Sequence, residues 1–345
     1  MVDNHFRKGI LNRSISGLYV KSKILLILIV FLFISCSKPL TKENSQKHLR
    51  AFDNEITQLF TRMNNTEGLQ ALKQLSLYQA LPLPMMVQNC TDSISGLQSY
   101  SFDLAKGNYL AQNEEFCLNE IGKSDSISIV FAYKSRNDSH AQFILSDYSE
   151  AATKLQMMFP KTIEACIIAN GSKLISISEK AILKHDLPAS IEAKISLGNF
   201  IVNLVMETTF RKSDATMHLK LQIEESGKSA LTVKMITDVA FTKENSIVYN
   251  NKTIDIEVFP ILIRFKSEQD FSNPDASHFI ENFNSQSNFV IFDGKNQLIG
   301  EIFLDKISGR DRLNPMIRYS DGTVENLEDM LLFVRKLLNF KLVHL

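Results

Sequence analysis

The sequence predicts an α+β fold, in which an N-terminal helical hairpin, a large antiparallel sheet and a C-terminal amphipathic helix follow one another. Three observations predict it. Apolar residues recur every three to four positions over residues 42–80, alternate with polar residues through much of residues 98–320, and return to the helical spacing over 323–341. The alternation is typical of eight to twelve strands in a curved sheet, a sandwich or a half-barrel. We expect residues 42–345 to form a single α+β domain.

Residues 1–35 have the features of a secretion signal. Eleven consecutive apolar residues occupy positions 24–34, too few for a membrane-spanning helix of about 20 residues, and Lys21 and Lys23 supply the positive flank. Twenty residues precede this flank, so we expect translation to start downstream, near Val20.

The segment Phe-Ile-Ser-Cys at positions 33–36 resembles a lipobox, with Phe33 standing where Leu is usual. Looser leaders of this kind are found in Bacteroidota. The resemblance implies that Cys36 is diacylated and becomes the N-terminus of the mature protein. Two acyl chains would give stable anchoring. The alternative is a short uncleaved anchor with a buried Cys36.

Residues 36–41 are expected to form the anchor and tether. No Asp follows Cys36 and no acidic cluster is present, so the lipoprotein resemblance implies the outer membrane and its periplasmic side. Removing residues 1–35, which carry five Lys or Arg and one Asp, changes the net charge from zero to −4. This balance predicts no nucleic-acid partner.

The helical hairpin over 42–80 is predicted from two apolar stripes that flank the loop at residues 64–68. The first consists of Leu49, Phe52, Ile56, Leu59, Phe60 and Met63, and the second of Leu69, Leu72 and Leu75. The closing helix over 323–341 is predicted from a third stripe, with acidic residues early and basic residues late. Its apolar members are Leu327, Met330, Leu331, Val334, Leu337 and Leu338.

The strands are predicted from segments of strict alternation, with Gly- and Asn-containing turns between them. The clearest such segments are residues 126–129, 142–145, 217–224, 231–235 and 254–258. Residues 159–167 and 187–195 also resemble each other, since Pro, Ile, Glu, Ala and Ile recur at an offset of 28. We interpret them as a duplicated hairpin, and chance similarity is the alternative.

The sequence contains few motifs that would indicate catalysis or metal binding. Ser226-Gly227-Lys228-Ser229 lacks the first Gly of a phosphate loop and joins two alternating segments, so it predicts a hairpin turn. No HExxH and no G-x-S-x-G occurs, and we predict no metal, cofactor or catalytic residue. Among the three remaining cysteines, Cys90 and Cys117 are the predicted disulfide pair, which leaves Cys166.

The leader, the repeated Leu-Pro-x-Ser-Ile-Glu-Ala-x-Ile strand start and the Asp-Gly-Thr segment at 321–323 resemble a family of Bacteroidota lipoproteins of unknown function. The resemblance supplies no catalytic residues. Two hypotheses follow. The first is a non-catalytic lipoprotein that binds an envelope partner or an apolar ligand, in keeping with 23 Phe and no Trp. The alternative is a periplasmic hydrolase that uses carboxylates.

Overall fold

Alternating apolar and polar residues build one sheet that runs through most of the chain. A computed structural model describes residues 40–78, 80–84, 99–112, 116–133, 140–153, 158–211, 214–241, 247–268, 278–306 and 313–332. Contacts within the chain make Leu40–Leu345 one compact unit. The strands of the described part are β1 Gly107–Gln112, β2 Cys117–Gly122, β3 Ile127–Ala132, β4 His140–Ala152, β5 Met158–Ala169, β6 Ser172–Lys184, β7 Leu187–Leu197, β8 Phe200–Phe210, β9 Asp214–Glu225, β10 Lys228–Phe241, β11 Ile247–Val258, β12 Ile261–Ser267, β13 Ser287–Asp293, β14 Leu298–Lys306, β15 Leu313–Tyr319 and β16 Val324–Asn326.

The sheet is open, and its strands lie almost entirely in chain order. From β3 to β16 each strand is antiparallel to the next one in the sequence. At the other edge β1 lies between β3 and β2, and it is parallel to β3 and antiparallel to β2. The sheet-rich fold is therefore confirmed, whereas the range of eight to twelve strands and the sandwich alternative are wrong.

Helices occupy four parts of the described chain. They are α1 Lys42–Asn64, α2 Glu67–Leu75, α3 Phe102–Ala105, α4 Phe279–Gln286 and α5 Leu327–Met330. Thr41 and Thr66 cap α1 and α2, because each hydroxyl accepts a hydrogen bond from the backbone N–H three residues later. Asn65 and Thr66 separate the two helices.

The C-terminal end differs from its predicted form. The closing helix was expected to begin at residue 323, but residues 324–326 form the edge strand β16, and helix α5 begins at Leu327. The reason is local: Val324 and Glu325 pair with β15, and the side chain of Asn326 then caps α5 by accepting from Glu328 N at 2.7 Å. Residues 333–341 of the predicted helix lie outside the described residues.

One face of the sheet, here called the inner face, carries the core. Four members of the apolar stripe of α1, Leu49, Phe52, Ile56 and Leu59, are buried against it, whereas Phe60 is exposed. Ala71 and Leu75 of α2 join the same cluster. Sheet residues of this cluster come from nearly every strand between β3 and β15; they include Ile129, Phe143, Ile167, Ile175, Leu197, Phe200, Ile223, Leu231, Val258, Ile261, Ile291, Ile299 and Ile317. The opposite, outer face is predominantly polar.

Helices α1 and α2 are fixed at one end of the strands, here called the proximal end, where the turns at residues 170–171, 198–199 and 226–227 lie. Arg62 of α1 donates to both carboxylate oxygens of Glu225, the last residue of β9, at 2.9 and 2.8 Å. Gly68 of α2 lies directly against the backbone of Leu174 in β6. The distal end is the opposite one, with the turn at residues 185–186. Helices α1 and α2 therefore lie away from the distal part of the long central strands.

Candidate functional site

The inner face of the central strands carries a continuous apolar surface. The strand register aligns one row of apolar side chains across seven strands, namely Ile191, Met206, Leu219, Met235, Ile254, Phe265 and Phe289. The next row toward the proximal end consists of Ala193, Leu204, Leu221, Val233, Ile256, Ile263 and Ile291. We define the open apolar surface as the members of both rows that lie outside the core cluster on β7 to β11: Ile191, Ala193, Leu204, Met206, Leu219, Leu221, Met235 and Ile254.

Outer-face residues at the same positions have the opposite character. Charged or imidazole side chains alternate with the apolar rows, and most of them are exposed: Glu192, Lys194, Glu207, His218, Lys220 and Lys234. Since only one face is polar, the apolar rows are a property of the inner face and not of the whole central sheet.

The described helices leave this surface largely uncovered. Their main contacts with the sheet are those of α1 with β11 and β12, of α2 with β5 and β6, of α4 with β13 and β14, and of α5 with β15. A helix is about 10 Å across and a strand rises about 3.3 Å per residue, so a helix at the proximal end shields about three residues of each central strand. The 11 residues of β8 therefore extend about 25 Å beyond it.

The size of the uncovered region follows from the same geometry. Five strands spaced by about 4.8 Å are about 19 Å wide, so this part of β7 to β11 measures about 19 by 25 Å. Its distal inner-face residues Ala215, Thr237 and Val239 are nonetheless buried, so the part open to solvent is smaller. Contiguous apolar patches of a few hundred Å² on soluble proteins are often functional. Seven of the eight side chains of the open apolar surface are half-buried, and Met206 is buried.

Aromatic side chains border the open apolar surface at the distal end. On one side Phe283 of α4 stacks on Phe265 of β12 with ring centroids 6.0 Å apart, and Phe289 of β13 contacts the same ring edge-on at 5.5 Å. On the other side the ring of Phe210 meets that of His185 at 6.2 Å. Four of these five rings are Phe, which is the residue type that the composition singled out.

A single carboxylate interrupts the second row. Glu179 of β6 pairs with Ile163 on one side and with Ala193 on the other, so it stands on the inner face at the edge of the open apolar surface. Its side chain is half-buried, and desolvation raises the pKa of its carboxyl. The alternation Ile175, Ile177, Glu179 could have indicated this position from the sequence, because a charge on the apolar phase of a strand is unusual. Glu179 was not among the predicted site residues.

Next to Glu179 lies a group of tyrosines on β4 and the segment before α3. Tyr148 donates to Glu150 Oε2 at 2.5 Å, and Tyr100 N donates to Glu150 Oε1 at 2.6 Å. The two tyrosine rings pack edge-on at 5.4 Å. Burial raises the pKa of Tyr100 to about 12, and burial together with the Glu150 hydrogen bond raises the pKa of Tyr148 further. Both oxygens of Glu150 are thus engaged, whereas Glu179 has no hydrogen bond or ion pair within the described part of the chain.

The predicted site residues are distributed as follows. Cys36 and Cys90 lie outside the described residues, so the anchor and the Cys90–Cys117 pair stay predictions. Cys117 begins β2, where its thiol lies 3.4 Å from Gln112 Oε1. Cys166 lies half-buried on the outer face of β5. Ser226 and Gly227 form the β9–β10 turn with positive φ angles of 52° and 77°, which confirms the hairpin turn predicted there.

Within the ranges that the structure describes, no group of three or more His, Cys, Asp or Glu could hold a metal ion, and no helix is both long and apolar enough to cross a membrane. Comparisons with protein-family models, with curated proteins and with solved structures found no match. The inner face of the sheet is therefore the feature on which a function can be proposed.

Proposed function

We propose that this protein is a lipid-anchored envelope protein without catalytic activity, and that it binds an apolar ligand on its open apolar surface. The observation that carries the proposal is the pair of aligned apolar rows, of which the part on β7 to β11 lies outside the core and beyond the main contacts of the described helices. Burying apolar area of this size is favourable by roughly 25 cal/mol per Å².

A ligand suits this surface better than a protein partner does. Protein interfaces are typically anchored by aromatic or Arg side chains near their centre. The eight side chains of the open apolar surface are instead half-buried or buried, and the aromatic rings stand at its border. A thin apolar chain lying across the strands would contact them without displacing the α1 and α2 helices.

The address belongs to the same proposal. Cys36 would carry the acyl chains, the protein would reside at the outer membrane facing the periplasm, and it would be a member of the Bacteroidota lipoprotein family that its leader resembles. One contact supports a short tether: Ser320 Oγ donates to the carbonyl of Leu40 at 2.9 Å, so the domain binds a residue only four positions after Cys36. We further propose that α1 and α2 act as a hairpin and that residues 333–341 extend the C-terminal helix.

A carboxylate hydrolase is the second candidate, and one observation favours it: Glu150 and Glu179 both lie near Tyr148. Hydrolysis by paired carboxylates needs one acid and one base that are free to act. Because Glu150 already accepts two hydrogen bonds, only Glu179 has a free carboxyl at this place. The binding function is therefore the one we propose.

The test of ligand binding uses a soluble form that spans residues 40–345, the compact unit, and the neutral apolar dye N-phenyl-1-naphthylamine. Leu204→Asp places a carboxylate on the inner face of β8, and the matched control Val205→Asp places the same carboxylate one residue away on the outer face. We expect dye fluorescence to rise with the wild type and with the control, and dye affinity to fall at least about tenfold in Leu204→Asp. Equal affinities in the two variants, or no binding by the wild type, would refute the proposed function.

The test of the anchor uses metabolic labelling of the full chain with an alkyne fatty acid. We expect label in the wild type and in Ser37→Ala, and none in Cys36→Ala. Label that persists in Cys36→Ala would show that the acyl chains sit elsewhere.

A further inference from the structure

Glu179 is an unusual residue for its position. It is the only charged side chain in the row that runs from Ile163 on β5 through Ala193 and Leu204 to Ile291 on β13. Its neighbours along β6 on the inner face are Ile177 and Ala181, so apolar groups surround it on four sides. A carboxylate in such surroundings costs free energy unless a hydrogen-bond donor or a cation pairs with it.

The described part of the chain supplies no such partner. Tyr148 is close to Glu179, but its hydroxyl already donates to Glu150. Lys161, which lies diagonally across from Glu179 on β5, is exposed, and no cation among the described residues lowers the pKa of Glu179, since desolvation alone shifts it. The unpaired carboxylate therefore stands at the border between a negatively charged corner, formed with Glu150, and the open apolar surface.

We infer that the ligand is an amphiphile with an ammonium head group, whose ammonium pairs with the Glu179 carboxylate while its hydrocarbon chain lies along the two apolar rows. This inference rests on the proposed function and adds the chemistry of the head group. An ammonium has three N–H donors and a positive charge, which are what an unpaired carboxylate lacks. An anionic head would be repelled by both Glu179 and Glu150, and an alcohol would contribute one neutral hydrogen bond.

The experiment compares three ligands with the same dodecyl chain: dodecylammonium, dodecanol and dodecyl sulfate. Each is used at concentrations at which it stays monomeric in solution. The affinity of each ligand is measured by its displacement of N-phenyl-1-naphthylamine from the form that spans residues 40–345. We expect dodecylammonium to bind the wild type about tenfold more tightly than dodecanol, a difference of about 1.4 kcal/mol, and dodecyl sulfate to bind most weakly. Glu179→Gln keeps the shape and removes the charge, and in this variant we expect dodecylammonium and dodecanol to bind equally.

Glu192→Gln is the matched control, because Glu192 is an exposed carboxylate on the outer face of the neighbouring strand β7. We expect it to keep the tenfold preference. If dodecylammonium and dodecanol bind the wild type equally, or if Glu179→Gln keeps the preference, the head-group inference is wrong although the binding function stands. If none of the three ligands displaces the dye, or if the dye does not bind, the binding function itself fails.

Discussion

Replacing Gly68 by Ala tests how closely the helical layer lies on the sheet. A Cβ at this position would meet the backbone oxygen of Leu174 at 2.5 Å and Cβ of Ile175 at 3.2 Å, whereas ordinary contact begins at 3.4 Å. The oxygen belongs to a strand backbone that is held in β6, so helix α2 must move outward by about 0.9 Å, which loosens the packing of Ala71 and Leu75 behind it.

The magnitude follows from two opposing effects. In the interior of a helix Ala is more favourable than Gly by about 1 kcal/mol, which is an upper bound for Gly68 because it is the second residue of α2. Overpacking of a rigid contact costs up to about 3 kcal/mol. We therefore expect Gly68→Ala to lower the free energy of unfolding by about 2 kcal/mol.

The assay is equilibrium unfolding in urea, followed by far-ultraviolet circular dichroism. Gln70→Ala is the control, since Gln70 lies on the exposed side of the same helix, and we expect its effect to stay within about 0.5 kcal/mol. A Gly68→Ala protein that is as stable as the wild type, or more stable, would show that α2 does not lie against β6, and the bounds of the open apolar surface would have to be redrawn.

Three further predictions concern two side chains of α1 and a hydrogen bond between β15 and β16. Leu59→Ala empties a site that is 1% exposed, and we expect a loss of about 3 kcal/mol in urea unfolding; a loss below about 1 kcal/mol would contradict the buried position. Arg62→Ala removes the ion pair with Glu225, whose partners are partly exposed, so we expect a loss below about 1 kcal/mol that shrinks further at high salt. Tyr319→Phe removes a 2.7 Å hydrogen bond to the carboxylate of Glu325 and should cost about 1.5 kcal/mol at neutral pH. Desolvation opposes ionisation of Glu325, but hydrogen bonds from Tyr319 and Gln46 outweigh it and lower the pKa of the Glu325 carboxyl. The stabilisation by this hydrogen bond is therefore fully present above the ordinary pKa of 4.5, and it is lost as the pH falls through the lowered pKa of the folded state. Thermal unfolding of wild type and Tyr319→Phe at neutral and acidic pH should show the difference shrinking in acid, and a constant difference would refute it.

Much of the central sheet was predictable, because its inner residues alternate without a fault. In β9 the residues at 217, 219, 221 and 223 are apolar and all lie on the inner face, as strict alternation requires. The duplicated segments form β5 and β7, and their shared residues Glu164 and Glu192 both lie on the outer face. Alternation is decided by neighbours along the chain, and for that reason the sequence alone indicates it.

The lengths of several predicted strands were underestimated where the alternation breaks. Bulges shift the register between Leu145 and Asp147 in β4 and between Ile236 and Asp238 opposite β11, and each bulge moves later residues to the other phase. The insertion of β1 between β2 and β3 is a pairing of distant segments, which no local pattern encodes. Glu179 was missed for a related reason: its phase is evident in the sequence, but its lack of a partner depends on the strands at either side.

The order of the strands also bears on how the sheet assembles. From β3 to β16 every strand pairs with its immediate successor in the chain, and apart from the β12–β13 connection over residues 268–286 the added strands close short loops. Short loops are cheap in entropy and fast to form. The sheet can therefore lengthen hairpin by hairpin in the order in which the chain becomes available. Only β1 must wait, because its parallel partner β3 lies beyond β2, and the first edge of the sheet is completed after its neighbour.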